Sequence, residues 1–438
     1  MTADPESRKR ILHLTGLGAV LAAAAFLIVH FPNPLLGAGA VLMVLTLILF
    51  LARPREAIII LLLIRSSLDA GREYFNVYVT EAFRITPATA ASFVVIIGGI
   101  LYLLGRRVAF HRIPLAGLML IFLFISGIHF FLVEDLAFSL MEFMRLLSGF
   151  LFFLLVWDLC RERGDVRAVI NAILLSALIP LVSGLHQVIL QGGQFITGFV
   201  RVYGTFVHPN PFAFFLIIIL ALTVNLFFVY PGKKERLCLF SLSLISVLCV
   251  LLSFTRTAWF GFLMIVFFAT WFRERKLIWL LVALVLVFSV LTPFRARFYD
   301  LGTAFNSLAH RLSIWQGGLE HLPAVPLLGR GLGSFVLMDV FQETAHNDYL
   351  LIFFELGLAG LIVYLALAVT VLIRLLRDLR FPASPYGYAL TGAAFSAAAV
   401  FFAASLLSNI IFRPALQWYF WALIAAALKL HRLESTRR

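Results

Sequence analysis

The stretch Glu343-Thr344-Ala345-His346-Asn347-Asp348-Tyr349-Leu350 lies where a long polar interval gives way to an apolar run of membrane length. It places a titratable imidazole, that of His346, at a predicted membrane boundary. The preceding interval, 294–342, is the longest part of the chain without an apolar run of that length. Any chemistry is therefore expected at this junction. The interval contains Arg295, Arg297, Arg311 and Arg330.

The composition predicts an all-α, polytopic integral membrane protein. Of the 438 residues, 62% are hydrophobic and 13% are charged, whereas about 25% of residues are charged in soluble domains. A spanning helix needs roughly 20 apolar residues, and about 12–14 transmembrane helices are expected, with one long extramembrane segment before the last three. An even number of spans places both termini on one side. The predicted spans cover 11–31, 35–52, 57–70, 85–104, 113–133, 137–159, 168–190, 211–230, 237–254, 257–272, 277–292, 348–373, 386–407 and 414–430.

Three regions follow from this pattern. Residues 1–292 form N-terminal membrane helices with short loops, 293–347 form an outer segment that roofs a cavity, and 348–438 form the C-terminal membrane helices. The first apolar run follows Arg8-Lys9-Arg10 as in a signal peptide, but further spans follow it, so we expect it to be retained.

No disulfide framework or redox chemistry is expected, because the three cysteines lie in or beside spans: Cys160, Cys238 and Cys249.

The net charge of +13 indicates membrane topology and not nucleic-acid binding, because basic residues beside apolar spans are the usual orientation signal. Threading the spans alternately brings the basic clusters to one side, which is predicted to be cytoplasmic. All five lysines fall there, and every basic residue predicted to lie outside or within the membrane is arginine. Arginine presents a planar fork of donors to phosphate oxygens, so the outer face is expected to bind an anion. The alternative is that a chain with few lysines lacks them there by chance.

Two outer turns carry arginine. In Arg201-Val202-Tyr203-Gly204-Thr205-Phe206-Val207-His208-Pro209-Asn210-Pro211-Phe212, Arg201 could bind a phosphate that Gly204 lets approach the backbone; the alternative is an interfacial turn with a snorkelling arginine. His208 is interpreted as a structural or hydrogen-bonding residue. In Ser253-Phe254-Thr255-Arg256-Thr257-Ala258-Trp259-Phe260-Gly261, Arg256 must lie at the outer membrane boundary, where a charge is costly unless it is paired, functional or anchored to lipid headgroups.

Two further pairs of opposite charge raise the same question. Glu142 and Arg145, three residues apart in an apolar span, could form a closed ion pair, or Glu142 could hold Arg145 towards the site. Arg65 and Asp69 pose the same alternatives.

In the outer segment, 311–319 is predicted to form an amphipathic helix on the bilayer. Residues 329–333, Gly-Arg-Gly-Leu-Gly, lack the preceding strand of a dinucleotide-binding loop and are predicted to be a flexible turn.

His346 is the candidate general base. A lone histidine is more often structural, but nearby Glu343, Asp348 and Glu355 could orient one ring nitrogen and leave the other to accept a proton. No second histidine stands at ligand spacing and no Asp-x-Asp pair occurs, so no metal site and no cofactor are expected.

Four stretches together resemble the O-antigen ligase family of the bacterial envelope, which includes O-antigen polymerases and protein O-oligosaccharyltransferases. They are 201–212, 253–261, 311–335 and 345–360, so the likeness begins at about Arg201. In this family a glycan is transferred from undecaprenyl pyrophosphate to the lipid A core in the periplasm. By the resemblance, Arg201 and Arg256 hold the pyrophosphate and His346 is catalytic, while Arg145 and Arg311 carry a less complete match. Thr255 stands where serine is frequent, and the hydroxyl is retained.

The resemblance implies a glycosyltransferase of the bacterial inner membrane with its site facing the periplasm, acting on a lipid-linked donor and a lipid A core acceptor. We expect a metal-independent single displacement with inversion. Alternatives are the polymerase of the same superfamily, the protein-glycosylating branch, whose C-terminal part is usually longer, and a solute transporter. A transporter would need charged groups near the midplane of several spans, and the sequence shows chiefly Glu142 and Arg145.

Overall fold

A computed structural model describes residues 34–73, 77–78, 84–131, 133, 135–190, 192–196, 199–290, 307–321, 327–337 and 344–436. The predicted first span, 11–31, lies outside these residues, as do Glu343, Arg295 and Arg297. The outer segment 293–347 is described only in part. Within the described residues the chain is almost entirely helical, which confirms the predicted all-α class.

The helices are α1 (Pro34–Ala52), α2 (Pro54–Arg65), α3 (Pro87–Arg106), α4 (Ala116–Ile128), α5 (Leu136–Leu159), α6 (Arg163–Leu175), α7 (Leu178–Ile189), α8 (Pro209–Phe227), α9 (Lys233–Leu252), α10 (Arg256–Phe272), α11 (Leu277–Val290), α12 (Ser307–Glu320), α13 (Ser334–Leu337), α14 (Asp348–Arg380), α15 (Pro385–Ala404) and α16 (Pro414–Ser435). Short 3₁₀ turns cover Leu68–Glu73, Phe110–Arg112 and His129–Phe131.

Two small antiparallel hairpins interrupt the helices, and the sequence did not predict them. Strand β1 (Val77–Tyr78) pairs with β2 (Arg84–Ile85), and β3 (Gln194–Ile196) pairs with β4 (Phe199–Arg201). The register of the second hairpin sets Gln194 opposite Arg201. Arg201 therefore ends a strand instead of an irregular loop.

Seven helical segments within the described residues are long and apolar enough to cross a membrane, and the chain is a polytopic membrane protein. Four shorter apolar helices accompany them, Met43–Ala52, Ala116–Phe131, Arg256–Phe272 and Leu277–Leu286. The predicted span 168–190 is broken between α6 and α7, where Ser176 turns its hydroxyl onto the carbonyl of Ile173 (2.7 Å).

The core is formed around α5, α8 and α16, whose side chains are buried along most of their length. Aromatic rings fill it: Phe152 stacks on Trp418 with centroids 4.5 Å apart, and Phe401 stacks on Phe420 at 4.1 Å. Gly149 allows α5 to approach α16, because a Cβ there would lie 2.9 Å from the Cβ of Gln417. Close approach at small residues is how helices pack where lipid removes the hydrophobic driving force.

One end of the bundle gathers basic residues that the sequence assigned to a single side. Arg55 pairs with Asp165 at 2.6 Å and Arg163 with Glu434 at 3.2 Å, which joins the ends of α2, α6 and α16. The arginines assigned to the opposite side, from Arg201 to Arg413, lie at the other end of these helices. Arg55 and Arg163 therefore share one end of the bundle, and the side of the membrane that this end faces stays a prediction.

Candidate functional site

Arg201 is held by three neutral acceptors. Its Nε donates to the carbonyl of Ser253 (2.7 Å), and its Nη2 donates to Asn210 Oδ1 (2.8 Å) and Thr255 Oγ1 (3.1 Å). The side chain is buried. These three acceptors fix the plane of the guanidinium. Since each of them is uncharged, they orient the positive charge of Arg201 without neutralising it.

Arg256 begins α10 one residue after Thr255, and the turn before it is tight because Phe254 has a φ of 49°. Arg201 binds the residues on either side of Phe254, so the two predicted phosphate-binding arginines flank one turn. The Thr255 hydroxyl also donates to Asn210 Oδ1 (3.2 Å). The hydroxyl of Thr255 thus joins the two arginine-bearing stretches.

The loop after Arg201 is fixed by buried polar contacts. Gln187 Oε1 accepts from the N–H groups of Tyr203 and Gly204 (3.0 Å each), and Thr205 Oγ1 donates to the carbonyl of Ser66 (2.7 Å). Gly204 has a φ of 57°, and a Cβ there would lie 2.7 Å from the ring of Phe212. The prediction that Gly204 makes room for a phosphate is therefore not supported, since neighbouring protein fills that side of the residue.

His208 caps α8: its Nδ1 accepts from the N–H of Asn210 (3.1 Å). An accepting Nδ1 carries no proton, so the neutral ring carries its proton on Nε2. Burial, the largest cause, acts together with the positive charges of Arg201, Arg413 and His346 to lower the pKa of His208 to about 4. The imidazole is therefore a neutral donor at physiological pH, which agrees with its interpretation as a structural or hydrogen-bonding residue.

His346 lies at the start of α14 in the left-handed region, with a φ of 50°. Asn347 caps the helix, since its Oδ1 accepts from the N–H groups of Tyr349 (3.0 Å) and Leu350 (3.1 Å). His346 is half-buried, and a positive charge on its ring acts on His208. His346 therefore lies before the first turn of α14 and close enough to His208 for the two rings to interact electrostatically.

The carboxylates that the sequence offered as partners for His346 have other contacts. Buried Asp348 accepts from Ser405 Oγ (2.7 Å) and from the N–H groups of Ile410 (3.1 Å) and Ile411 (3.2 Å), so it ties α14 to the loop between α15 and α16. Glu355 lies further along α14 and accepts from the N–H of Phe335 (3.4 Å). Asp348 and Glu355 therefore hold backbone rather than orient the imidazole.

Arg413, at the N-terminus of α16, joins Arg201 and His346 in a cluster of positive charges around His208, although no motif marked it. Desolvation by the surrounding protein lowers the pKa of Arg413 and the charge of Arg145 lowers it further, while Glu142, Asp348 and Asp69 raise it. The signal that could have found it is the single charge in Ile410-Ile411-Phe412-Arg413-Pro414, on the side where all basic residues are arginine.

The ion pair predicted between Glu142 and Arg145 forms, and a role of Arg145 in the site stays a prediction. Arg145 Nη1 bonds Glu142 Oε1, so the ion pair forms, yet the Arg145 side chain remains 39% exposed. Glu142 is buried, and its second oxygen has no hydrogen-bond partner among the described residues. Arg65, by contrast, is buried, lies 3.4 Å from Asp69 and stacks over Trp418. The charge of Arg145 acts on Arg413, whereas Arg65 is enclosed in the bundle.

Arg311 lies on α12, which confirms a helix at the predicted position 311–319. Its Nη1 donates to the carbonyl of Leu407 (2.6 Å), beyond the end of α15. From the same helix, Trp315 Nε1 donates to the carbonyl of Ala345 (2.7 Å), immediately before His346. Helix α12 is thus fastened to the residue before His346 and to the segment that follows α15.

The glycine turn 329–333 is docked, whereas the sequence predicted a flexible turn. The N–H of Gly331 donates to the carbonyl of Glu355 (2.7 Å), at a break in α14 where Gly357 has a φ of 66°. A Cβ on Gly329 would lie 2.4 Å from the nitrogen of Gly357. The two glycines let the turn enter the broken helix, which anchors the outer segment beside the His346 turn.

A cavity of about 410 Å³ opens between α10 and α15 beneath α12. Thr257 and Asn347 line its polar end, and each adjoins a predicted site residue, Arg256 or His346. Among the described residues no group of three or more His, Cys, Asp and Glu side chains is placed to hold a metal ion. The site consists of arginines, two histidines and this cavity.

Residues 241–365 match the model of the family described as O-antigen ligase. The matched region contains Arg256, Arg311 and His346 together with both cavity-lining residues of the polar end. This confirms the resemblance drawn from the sequence and supports membership of the O-antigen ligase and polymerase family. None of the curated proteins compared with the chain matches it.

Proposed function

We propose that the protein transfers a glycan from undecaprenyl pyrophosphate to a sugar hydroxyl of the lipid A core, at the periplasmic face of the bacterial inner membrane. The observation that carries the proposal is that Arg201, Arg413 and His346 lie close enough to His208 for their charges to act on it. Arg201 also binds Thr255, the residue before Arg256. The family match supports an enzyme of O-antigen processing. Both termini would then be cytoplasmic, and the segment 293–347 would roof the site.

The leaving pyrophosphate determines what the site must supply. When the bond between the anomeric carbon and the phosphate oxygen breaks, its electron pair remains on the pyrophosphate and negative charge grows there. Oriented cations in a site that excludes bulk water stabilise such charge without reorganising. Arg201, already fixed by Asn210 and Thr255, meets this requirement, and we propose that Arg256 and Arg413 add further positive charge.

The acceptor hydroxyl requires a base. In the proposed step His346 takes the hydroxyl proton while the acceptor oxygen bonds to the anomeric carbon on the face opposite the pyrophosphate, which inverts that centre. His208, neutral with its proton on Nε2, is suited to donate to a phosphate oxygen and not to accept a proton. The two histidines therefore take different roles, because one caps a helix and the other is presented by a turn.

Lipopolysaccharide banding in a strain lacking the protein tests the proposal. Loss of a ligase leaves bare lipid A core and accumulates long lipid-linked polymer. Loss of the polymerase of the same superfamily instead leaves core bearing a single repeat, and that result would reassign the acceptor. Complementation with the wild type should restore full-length bands, and an Arg380→Gln variant, altered at the opposite end of the bundle, should restore them equally.

A further inference from the structure

A second pocket, of about 430 Å³, lies far from the His346 turn. The loop before α4, the ends of α14 and α16, and Trp157 of α5 form its walls. Asp378, which lines it, follows Asp348 by 30 residues of α14, roughly 45 Å at 1.5 Å per residue. Since the hydrocarbon core of a bilayer is about 30 Å thick, the pocket and the His346 turn are far enough apart to lie at opposite surfaces of the membrane.

Positive charge dominates this pocket. Of the described residues that line it, four are arginines and one is a carboxylate, Asp378. The arginines are Arg112, Arg374, Arg377 and Arg432. The Oδ1 atom of Asp378 lies 3.6 Å from His431 Nε2 and 3.8 Å from Arg377 Nε. One carboxylate balances at most one of the four guanidinium charges, so the pocket keeps an excess of positive charge that favours an anion.

Trp157 fixes cations at the wall of the pocket. The Cζ atom of Arg432 lies 5.6 Å from the centroid of the indole ring, and Lys429 Nζ lies over the same ring at 5.1 Å. Arg432 Nη1 also donates to the carbonyl of Arg112 (3.1 Å), which joins α16 to the loop before α4. Cation–π contact holds both charges on the ring face, and tryptophan commonly lies at the level of lipid headgroups.

The pocket meets the lipid-exposed surface of the bundle. Val369 is 52% exposed and Ile373 is 60% exposed, and Arg377 follows Ile373 by four residues, so the three side chains form one row along α14. On α4, which packs against α14, Leu120 and Phe124 are exposed as well. In a membrane-spanning bundle such exposed apolar side chains contact hydrocarbon rather than water. The row therefore leads from the acyl-chain region of the bilayer to an arginine of the pocket.

We propose that this pocket binds the headgroup of an anionic phospholipid from the surrounding bilayer, with the phosphate against Arg374 and Arg377 and an acyl chain along the exposed row of α14. Arginine matches the oxygens of a phosphate, and basic pockets between membrane helices suit anionic headgroups. A soluble phosphate compound would gain nothing from the apolar row. A zwitterionic lipid would bring a second, positive group into a pocket that already has excess positive charge. The inference does not depend on the glycan transfer proposed above.

Lipid labelling of the purified full-length protein tests this inference. The protein is reconstituted in phosphatidylcholine vesicles, and a photoreactive phosphatidylglycerol is added at increasing mole fraction. Saturable labelling of the ends of α14 and α16 is expected. Arg374→Gln and Arg377→Gln should each raise the apparent Kd about fivefold. Arg380→Gln removes an exposed charge from the same helix at a position that does not line the pocket, and it should leave the Kd unchanged.

Three results would overturn the inference. Equal changes of Kd in Arg377→Gln and Arg380→Gln would show attraction to the whole basic surface instead of binding in the pocket. Equal labelling by phosphatidylcholine with the same photoreactive acyl chain would show that the headgroup charge is not recognised. Complete competition by soluble glycerol 3-phosphate would assign the pocket to a soluble phosphate compound. The comparison of the two lipids uses the wild type and therefore does not depend on the folding of any variant.

Discussion

Arg201 and Thr255 are joined by a hydrogen bond of 3.1 Å between Nη2 and Oγ1, although 54 residues separate them along the chain. This bond, with the one from Arg201 Nε to Ser253, places a fixed guanidinium beside the turn that carries Arg256. Because Thr255 also donates to Asn210, one hydroxyl connects the end of strand β4, the start of α8 and the start of α10.

Replacement of Thr255 by valine should lower transfer about tenfold, because the near-isosteric side chain leaves the buried Arg201 and Asn210 each without one partner. Thr255→Ser keeps the hydroxyl and should retain transfer within about twofold. Glycan transfer to the acceptor by purified variants measures both. Equal activity of the valine and serine variants would show that the hydroxyl does not position Arg201.

Lysine substitutions test whether the arginines act through shape or only through charge. Arg201→Lys and Arg256→Lys both keep the charge but lose the planar fork that can bind two oxygens. For Arg201 the lysine must also give up at least one of three acceptors, so we expect the larger loss there. The measurement is Kd for undecaprenyl pyrophosphate together with turnover. Full activity in both variants would show that these arginines serve only to orient the chain in the membrane or to anchor it at the interface.

The helices were largely predictable because their signal is local. The predicted span 137–159 corresponds to α5, Leu136–Leu159, since Asp135 caps the helix and apolar residues fill it. The break between α6 and α7 was missed, because both halves are apolar and only the contact of Ser66 with the Ser176 carbonyl (2.7 Å) distinguishes the break from a continuous helix. The β3–β4 hairpin was missed because strands of three residues carry almost no periodic signal.

The site was predictable only where a motif marked its residues. Arg201, Arg256 and His346 stand in recognisable stretches, whereas Arg413 stands alone in an apolar loop and joins them only when α16 packs against α5. For a related reason the sequence did not show where the carboxylate of Asp348 lies. Proximity in sequence suggested that Asp348 orients His346, but the helix turns its carboxylate towards Ser405 and the loop beyond.

Arg413→Gln should lower transfer substantially while leaving the thermal stability unchanged or slightly raised. Burial and the like charge of Arg145 both disfavour the charged form of Arg413, while Glu142, Asp348 and Asp69 favour it, so removing the charge should cost little stability. Such a separation of stability from activity is typical of groups kept for function. Melting temperature in detergent and turnover are measured together, with Arg380→Gln as the control. A large drop in melting temperature would make Arg413 a structural residue.

His208 should make the folded protein sensitive to acid. Its pKa is about 4 in the folded state and about 6.5 when unperturbed, so the unfolded state binds more protons between these values. Stability therefore rises with pH across that window and falls as the pH drops from about 6.5 to about 4.

His208→Asn keeps an acceptor for the α8 cap and does not titrate. Its melting temperature should depend less on pH across that window than the wild type's, whereas His111→Asn, at an exposed histidine elsewhere, should keep the wild-type dependence. If His208→Asn and wild type lose equal stability on acidification, the proton is taken up by another group.

His346→Ala should remove the roughly 10²- to 10⁴-fold that positioned proton transfer contributes to a rate, yet leave the Kd for undecaprenyl pyrophosphate nearly unchanged. The arginine variants should do the reverse and weaken binding as well as turnover. In the wild type, activity should fall as the pH drops, because protonation of His346 removes the base. His208→Asn should keep that acid limb, since His208 is already neutral when the limb begins, whereas His346→Ala should flatten it. A His346→Ala protein that folds, binds the carrier and transfers glycan at close to the normal rate would leave the arginines as the whole of the catalytic apparatus.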